Sequence, residues 1–229
     1  VDQIQSSEAL VVRNGSGIKS PADLKGKTIA TPFVSTSHFS LLGALKHWGI
    51  SDKQVKIVNL QPLEIAAAWK RGDIDGAFVW APALSEIEKS GTVLTDAAQV
   101  GKWGEPTFEV WVARKDFADK HPEILKKFAA VTLDSISDYR QHPEKWSATS
   151  ANAAATARLV GVNPADVPAL IAGNKYPDAS EQAGPEYLGG GIAKATKATA
   201  EFLFQQKRIP GVLPDYSPYV SSQYIPAAH

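Results

Sequence analysis

Apolar and polar positions alternate at two different periods through the first hundred residues. KTIAT (27–31), VKIVNL (55–60), GAFVWA (76–81) and TVLTD (92–96) are short runs rich in β-branched and aromatic residues, which predicts buried strands. Helical spacing fits between them. SHFSLLGALKHWG sets Phe39, Leu42, Leu45 and Trp48 on one stripe before Gly49 stops it, and PLEIAAAWKRGD begins with Pro62 in its first turn and ends at Gly72. This alternation predicts a mostly parallel sheet covered by helices and wound with right-handed crossovers. PTFEVWVAR (106–114) has a period of two, with Phe108, Val110 and Val112 on one face and Thr107, Glu109 and Trp111 on the other. QSSEALVVR is similar, with Glu8 inside a strand-like run that closes on the turn NGSG. After Lys115 the period becomes helical, through HPEILKKFAAVTLDSISDYRQHP, ANAAATARLVG, PADVPALIAG and IAKATKATAEFLFQQK, and no strand-like run of comparable strength follows.

Composition narrows what such a chain can do. With 44% hydrophobic residues over 229 positions there is material for one large core or two small ones. Twenty-four basic residues balance twenty-four acidic ones, so no net field draws the chain to nucleic acid or an anionic membrane, and an anionic partner must be held locally. No apolar run approaches the roughly 20 residues of a bilayer span. There is no Met, which implies that Val1 is a processed, trimmed or first-observed residue and that something preceded it. The absence of Cys removes disulfides, thiolate metal sites and cysteine nucleophiles together.

The densest chemistry lies in PFVSTSHFS (32–40). A strand ending at Thr31-Pro32 and a helix entered through Ser35, Thr36 and Ser37 gather hydroxyls and unpaired backbone N–H groups at the carboxyl edge of a parallel sheet. A helix start of this kind seats phosphate, sulfate or carboxylate without Lys or Arg. Ordinary N-capping also explains a Ser or Thr there, although one cap needs one hydroxyl. His38 is either a donor to the same anion or a structural hydrogen bonder. A P-loop is a poor description, because the Gly-rich cradle and the Gly-Lys-Ser/Thr ending are missing. Glu8 and Glu109 each interrupt an apolar strand, and a ligand ammonium group, a protein cation or water on an edge strand would each satisfy them. Trp80 ends a predicted strand beside Pro82, where a ring can wall a ligand, whereas Trp48 and Trp69 have core spacing. Gly72-Asp-Ile-Asp-Gly76 reads as a turn. His47, His121, His142 and His229 lack ligand spacing, no metal site is expected, and no GxSxG elbow supports a Ser/His/Asp triad.

Taken together, SEALVV, DLKGKTIATPFVSTSHFSLLGALKHWGI, VKIVNLQP with AAWKRGDIDGAFVWAPA, PTFEVWVARKDFADKHPE and the late DYSPYVSSQY resemble the taurine- and alkanesulfonate-binding periplasmic proteins of ABC importers. The resemblance spans nearly the whole chain and is dense through residue 122. It implies an α/β, two-lobed binding protein of type II (Venus flytrap), with residues 15–106 as the lobe carrying the anion-binding helix start. Residues 1–14 and 107–229 would supply the crossing strands, 8-EALVV-12 and 109-EVWVA-113, and the mostly helical remainder of the other lobe. Family members carry a segment before SEALVV, so the N-terminal part of that lobe is expected to be missing here. The implied ligand is taurine or a similar aminoalkanesulfonate, with its sulfonate at Ser35, Thr36, Ser37 and His38 and its ammonium on Glu109; Glu8 and Trp80 join the candidate site on their own strand positions. The family pattern has Asp where this chain has Glu109, and the extra methylene moves the carboxylate by about 1.5 Å, so another small sulfonate or zwitterion is the alternative ligand. The resemblance further implies a monomeric periplasmic protein without a cofactor that delivers its ligand to a membrane permease. Enzymes on the same broad fold use Cys or clustered His, which this chain lacks.

Overall fold

A computed structural model describes residues 1–226; His229 lies outside the described residues. The chain opens on a short strand, β1 (Asp2–Ile4), followed by β2 (Glu8–Arg13), β3 (Thr28–Thr31) and helix α1 (Thr36–His47). Then come β4 (Lys56–Asn59), α2 (Pro62–Arg71), β5 (Gly76–Trp80), α3 (Ala83–Glu88), β6 (Gly91–Asp96) and α4 (Ala97–Lys102). The later half holds β7 (Phe108–Glu109), α5 (Lys115–Lys120), α6 (Pro122–Gln141), α7 (Ala151–Val160), α8 (Val167–Ala172), β8 (Asn174–Lys175), α9 (Ala179–Ala183) and α10 (Gly191–Gln205). Among the described residues no helix is long and apolar enough to cross a membrane.

Two compact units result: Ile4–Thr107, and Val1–Gln3 with the chain from Phe108 onward. The expected division at 15–106 therefore shifts, because residues 8–13 form an interior strand of the first unit's sheet and cannot be separated from it. The order of that sheet is β4-β3-β5-β2-β6. β3 pairs in parallel with β4 and β5, while β2 runs antiparallel to both β5 and β6. The expected mostly parallel sheet is thus mixed. Reversal of β2 has one consequence for function: its first residue, Glu8, pairs with the last residue of β5, Trp80, at the edge where β3 also ends.

Helices cover both faces. Ala9 and Val11 pack with Ile65, Trp69, Leu84 and Ile87 on the α2/α3 side, and Leu10 and Val12 pack with Leu41, Leu45 and Val100 on the α1/α4 side. A strand buried on both faces needs apolar residues at every position, which explains the unbroken ALVV run. The buried face of α1 is Ser37, His38, Ser40, Leu41, Ala44 and Leu45, with Phe39 and Leu42 only partly buried. The helix is therefore rotated from the predicted stripe, because small residues let its axis approach the sheet. α2 ends at Gly72 in the left-handed conformation (φ 83°), as a glycine C-cap allows.

The other unit pairs β7, β1 and β8 in a three-stranded sheet and is otherwise helical. The strand expected over 106–114 is reduced to Phe108–Glu109, since β1 offers partners only at Gln3 and Asp2. Val110, Trp111 and Val112 follow in irregular, exposed chain, Val112 at 87% exposure. The expected second crossing strand, 109–113, is corrected accordingly.

Candidate functional site

The start of α1 divides its hydroxyls between different tasks. Ser35 is the N-cap: its backbone is extended (φ −115°, ψ 171°), its Oγ accepts the His38 N–H at 3.2 Å, and its own hydroxyl donates to the Pro32 carbonyl at 2.6 Å. Thr36 Oγ1 donates to Glu8 Oε1 at 2.5 Å, across from the first position of β2. Ser37 Oγ is fully buried and has no partner among the described residues. The backbone amides of Thr36 and Ser37 likewise meet no acceptor among them. No acidic residue occupies the first turn of α1 itself, so two unpaired N–H groups and a hydroxyl stand at the positive end of a 12-residue helix.

Glu8 brings the only described carboxyl hydrogen-bonded to this helix turn, and it is 6% exposed. Sequence reasoning grouped Glu8 with Glu109 as partners for an ammonium group. The structure sets Glu8 beside the hydroxyl cluster, with partly buried Trp80 as its cross-strand neighbour. The Trp80 ring also packs against the core on the α2/α3 side.

The loop before the helix is held at several points. The Phe33 N–H donates to Asn59 Oδ1 at 2.8 Å, and the Val34 N–H donates to His38 Nδ1 at 3.2 Å. The Phe33 ring stacks on the His38 imidazole, with centroids 4.6 Å apart and planes 10° from parallel. Burial lowers the pKa of His38 from its ordinary value, against an opposing pull from the Asp52 carboxylate. His38 Nδ1 thus serves a structural hydrogen bond to the backbone. Asn59 was missed by sequence reasoning; its only signal was the parallel register that sets it opposite Thr31.

Glu109 belongs to the other unit and is exposed there. Its strand partner is Asp2, so two carboxyl groups share a register position on neighbouring strands. Crowding by protein, then the charge of Asp2 and the hydrogen bond to it, raise the Glu109 pKa, while burial raises that of Asp2 against the Asn174 amide that donates to it at 2.9 Å. The Tyr176 phenol is pushed up as well, by burial first and then by Asp2. Nothing in the sequence pattern pointed to Asp2. In the Gly72–Gly76 turn, Asp73 pairs with Arg71 at 2.7 Å and Asp75 accepts the Thr28 N–H at 2.9 Å, which is turn chemistry as expected.

Comparison with known proteins gives the chain a family and a shared fold. Residues 3–146 match the family model described as NMT1/THI5 like. The chain is 52% identical over 223 residues to the taurine-binding periplasmic protein of Escherichia coli K12, an alignment covering 97% of this chain and 68% of that protein. The periplasmic aliphatic sulphonate binding protein SsuA of Escherichia coli superposes with a TM-score of 0.74 at 21% identity, over 96% of this chain and 70% of that one. The desulfurization enzyme DszB shares the fold at a TM-score of 0.63 and 14% identity, over 98% and 76%. By the extent of the sequence match, the chain belongs to the NMT1/THI5-like family that includes the taurine-binding periplasmic proteins.

Proposed function

We propose that this protein is the periplasmic substrate-binding component of an ABC importer, capturing taurine or a similar small aminoalkanesulfonate and delivering it to a membrane permease. The observation that carries the reading is the pair of unpaired amides with the buried, unpartnered Ser37 hydroxyl at the start of α1, beside the Glu8 carboxyl. A sulfonate stays ionised at any ordinary pH and offers three acceptor oxygens, so neutral donors fixed in place suffice to hold it. A carboxylate close to that seat repels a simple sulfonate and favours one that carries its own ammonium group. The identity with the taurine-binding relative supports the same ligand class.

The amine is assigned to Glu8, and Glu8→Gln tests the assignment by its loss of preference for taurine. Binding without turnover is the reading favoured for the site, since its donors are backbone amides and hydroxyls, the chain has no Cys, and His38 Nδ1 is engaged by a backbone amide. Calorimetric titration with taurine, ethanesulfonate and sulfate tests the assignment, with taurine expected to bind most tightly. Ser37→Ala is expected to weaken taurine about tenfold, the value of one hydrogen bond to a charged group, without lowering the melting temperature. Equal affinity in wild type and Ser37→Ala would remove the helix start from the site.

A further inference from the structure

Val34 adopts φ 63°, the left-handed region, where a β-branched side chain is rarely found. It immediately precedes the N-cap, so its conformation sets the direction in which the chain enters α1. Such a backbone persists only where its surroundings determine it, and the contacts that do so converge on one side chain. His38 receives the Val34 N–H on Nδ1, carries the Phe33 ring on its face, and sends its own backbone N–H to Ser35 Oγ. The two hydrogen bonds form a reciprocal pair between the third helical residue and the residues before the helix, a histidine version of a capping box shifted by one residue.

We propose that His38 is a positioning residue, which in its Nε2–H tautomer holds Val34 in the left-handed turn and thereby aims the Thr36 and Ser37 amides at the ligand. The importance for ligand rests on the anion-seat reading given above; the hydrogen bond and the turn do not. Only a neutral imidazole with an unprotonated Nδ1 can accept from an N–H. A proton added at Nδ1 turns the acceptor into a donor facing a donor, and the turn loses its tether.

The charged groups around α1 leave this assignment intact. Asp52 pulls His38 toward the protonated form, yet burial outweighs it and keeps the ring neutral at pH 7. Glu8 of β2 is engaged by Thr36, Asp96 caps α4 through the Gln99 N–H, and Glu105 pairs with Lys46 at the far end of α1. Ligand affinity is therefore expected to be flat near neutrality and to fall as the pH drops through the lowered His38 value, below 6.5.

Three versions of the chain test this: wild type, His38→Phe, which keeps a stacking ring but has no acceptor, and His38→Asn, whose Oδ1 replaces Nδ1 and does not titrate. Imidazole ¹⁵N shifts of the ligand-free wild type should report an Nε2–H tautomer, and hydrogen exchange at the Val34 amide should accelerate in His38→Phe but stay slow in His38→Asn. Taurine affinity should fall about tenfold in His38→Phe and be retained in His38→Asn, with the loss at acidic pH abolished. An Nδ1–H tautomer, or unchanged Val34 exchange in His38→Phe, overturns the proposal whether or not taurine binds. Normal taurine affinity in His38→Phe with faster Val34 exchange overturns the link to the ligand. Failure of the wild type to bind taurine, with the tautomer and exchange as expected, counts against the anion seat instead.

Discussion

Glu8→Gln is the substitution on which the ligand assignment turns. The Glu8 carboxylate accepts from Thr36 at 2.5 Å, and an anion bound to the Thr36 amide would lie about 5–6 Å from it. At an effective dielectric constant of about 20, like charges at that distance repel by about 3 kcal/mol, and Glu8 at 6% exposure is poorly screened by solvent. A simple sulfonate bears that cost in full, whereas an aminoalkanesulfonate offsets it with an ammonium–carboxylate hydrogen bond of roughly 1.5–3 kcal/mol. Gln keeps the acceptor oxygen for Thr36 and nearly the same volume, so the fold should retain its melting temperature. Taurine should then bind more weakly by about tenfold or more and ethanesulfonate more tightly, inverting or erasing the preference between them. Isothermal titration of both ligands against both proteins measures the crossed change directly. Parallel changes for the two ligands, or none, would refute the assignment of Glu8 to the amine.

Other expectations concern the fold around the site. In Gly91→Ala the added methyl would collide with the Val11 side chain, Trp69 and the Ile87 carbonyl, and thermal denaturation should show a loss of about 1–3 kcal/mol or more. Ser35→Ala removes a cap and a second hydrogen bond to Pro32, so urea denaturation should register about 1 kcal/mol, in contrast to the structurally neutral Ser37→Ala. Asp2 and Glu109 both bind protons more tightly in the folded chain than their ordinary values of 3.8 and 4.5. Each therefore weakens the fold as the pH rises from that value through the raised one, and the deficit remains at pH 7. Asp2→Asn, whose Oδ1 still accepts from Asn174, should be more stable than wild type at pH 7 and lose that advantage as the pH falls toward 4; a gain independent of pH would count against the raised Asp2 value.

Much of the first unit was legible because its strands are buried on both faces and its helices carry strong stop signals. β3, β4, β5, β6, α1 and α2 all fall where the apolar runs and Gly49 or Gly72 predict them. Strand direction was not legible: nothing in EALVVR distinguishes a parallel from an antiparallel neighbour when both faces are apolar. The two-residue β7 was overestimated for a different reason. Alternation at 106–114 reports a capacity to pair, but pairing also needs a partner strand, and among the described residues β1 supplies two register positions. Asp2 escaped attention because its significance arises only from that register.

The hydroxyl cluster exposes a limit of another kind. Ser35, Thr36 and Ser37 are adjacent and chemically alike, and a count of hydroxyls shows a surplus without saying which is the cap. The assignment is made by the surroundings, only one part of which is distant in sequence: Glu8 on β2 takes the Thr36 hydroxyl, the Pro32 carbonyl and the His38 amide take Ser35, and the buried Ser37 hydroxyl is left without a protein partner among the described residues. Because β2 runs antiparallel to β5, its first residue reaches the edge where β3 ends, and without that reversal the carboxyl would lie at the opposite end of the sheet. The same reversal thus determines both which hydroxyl is spent on the protein and how close the Glu8 carboxyl stands to the proposed anion seat. A seat built from uncharged donors alone would accept any small oxyanion. With Glu8 beside it, the proposed seat is expected to discriminate by what the ligand carries next to its sulfonate.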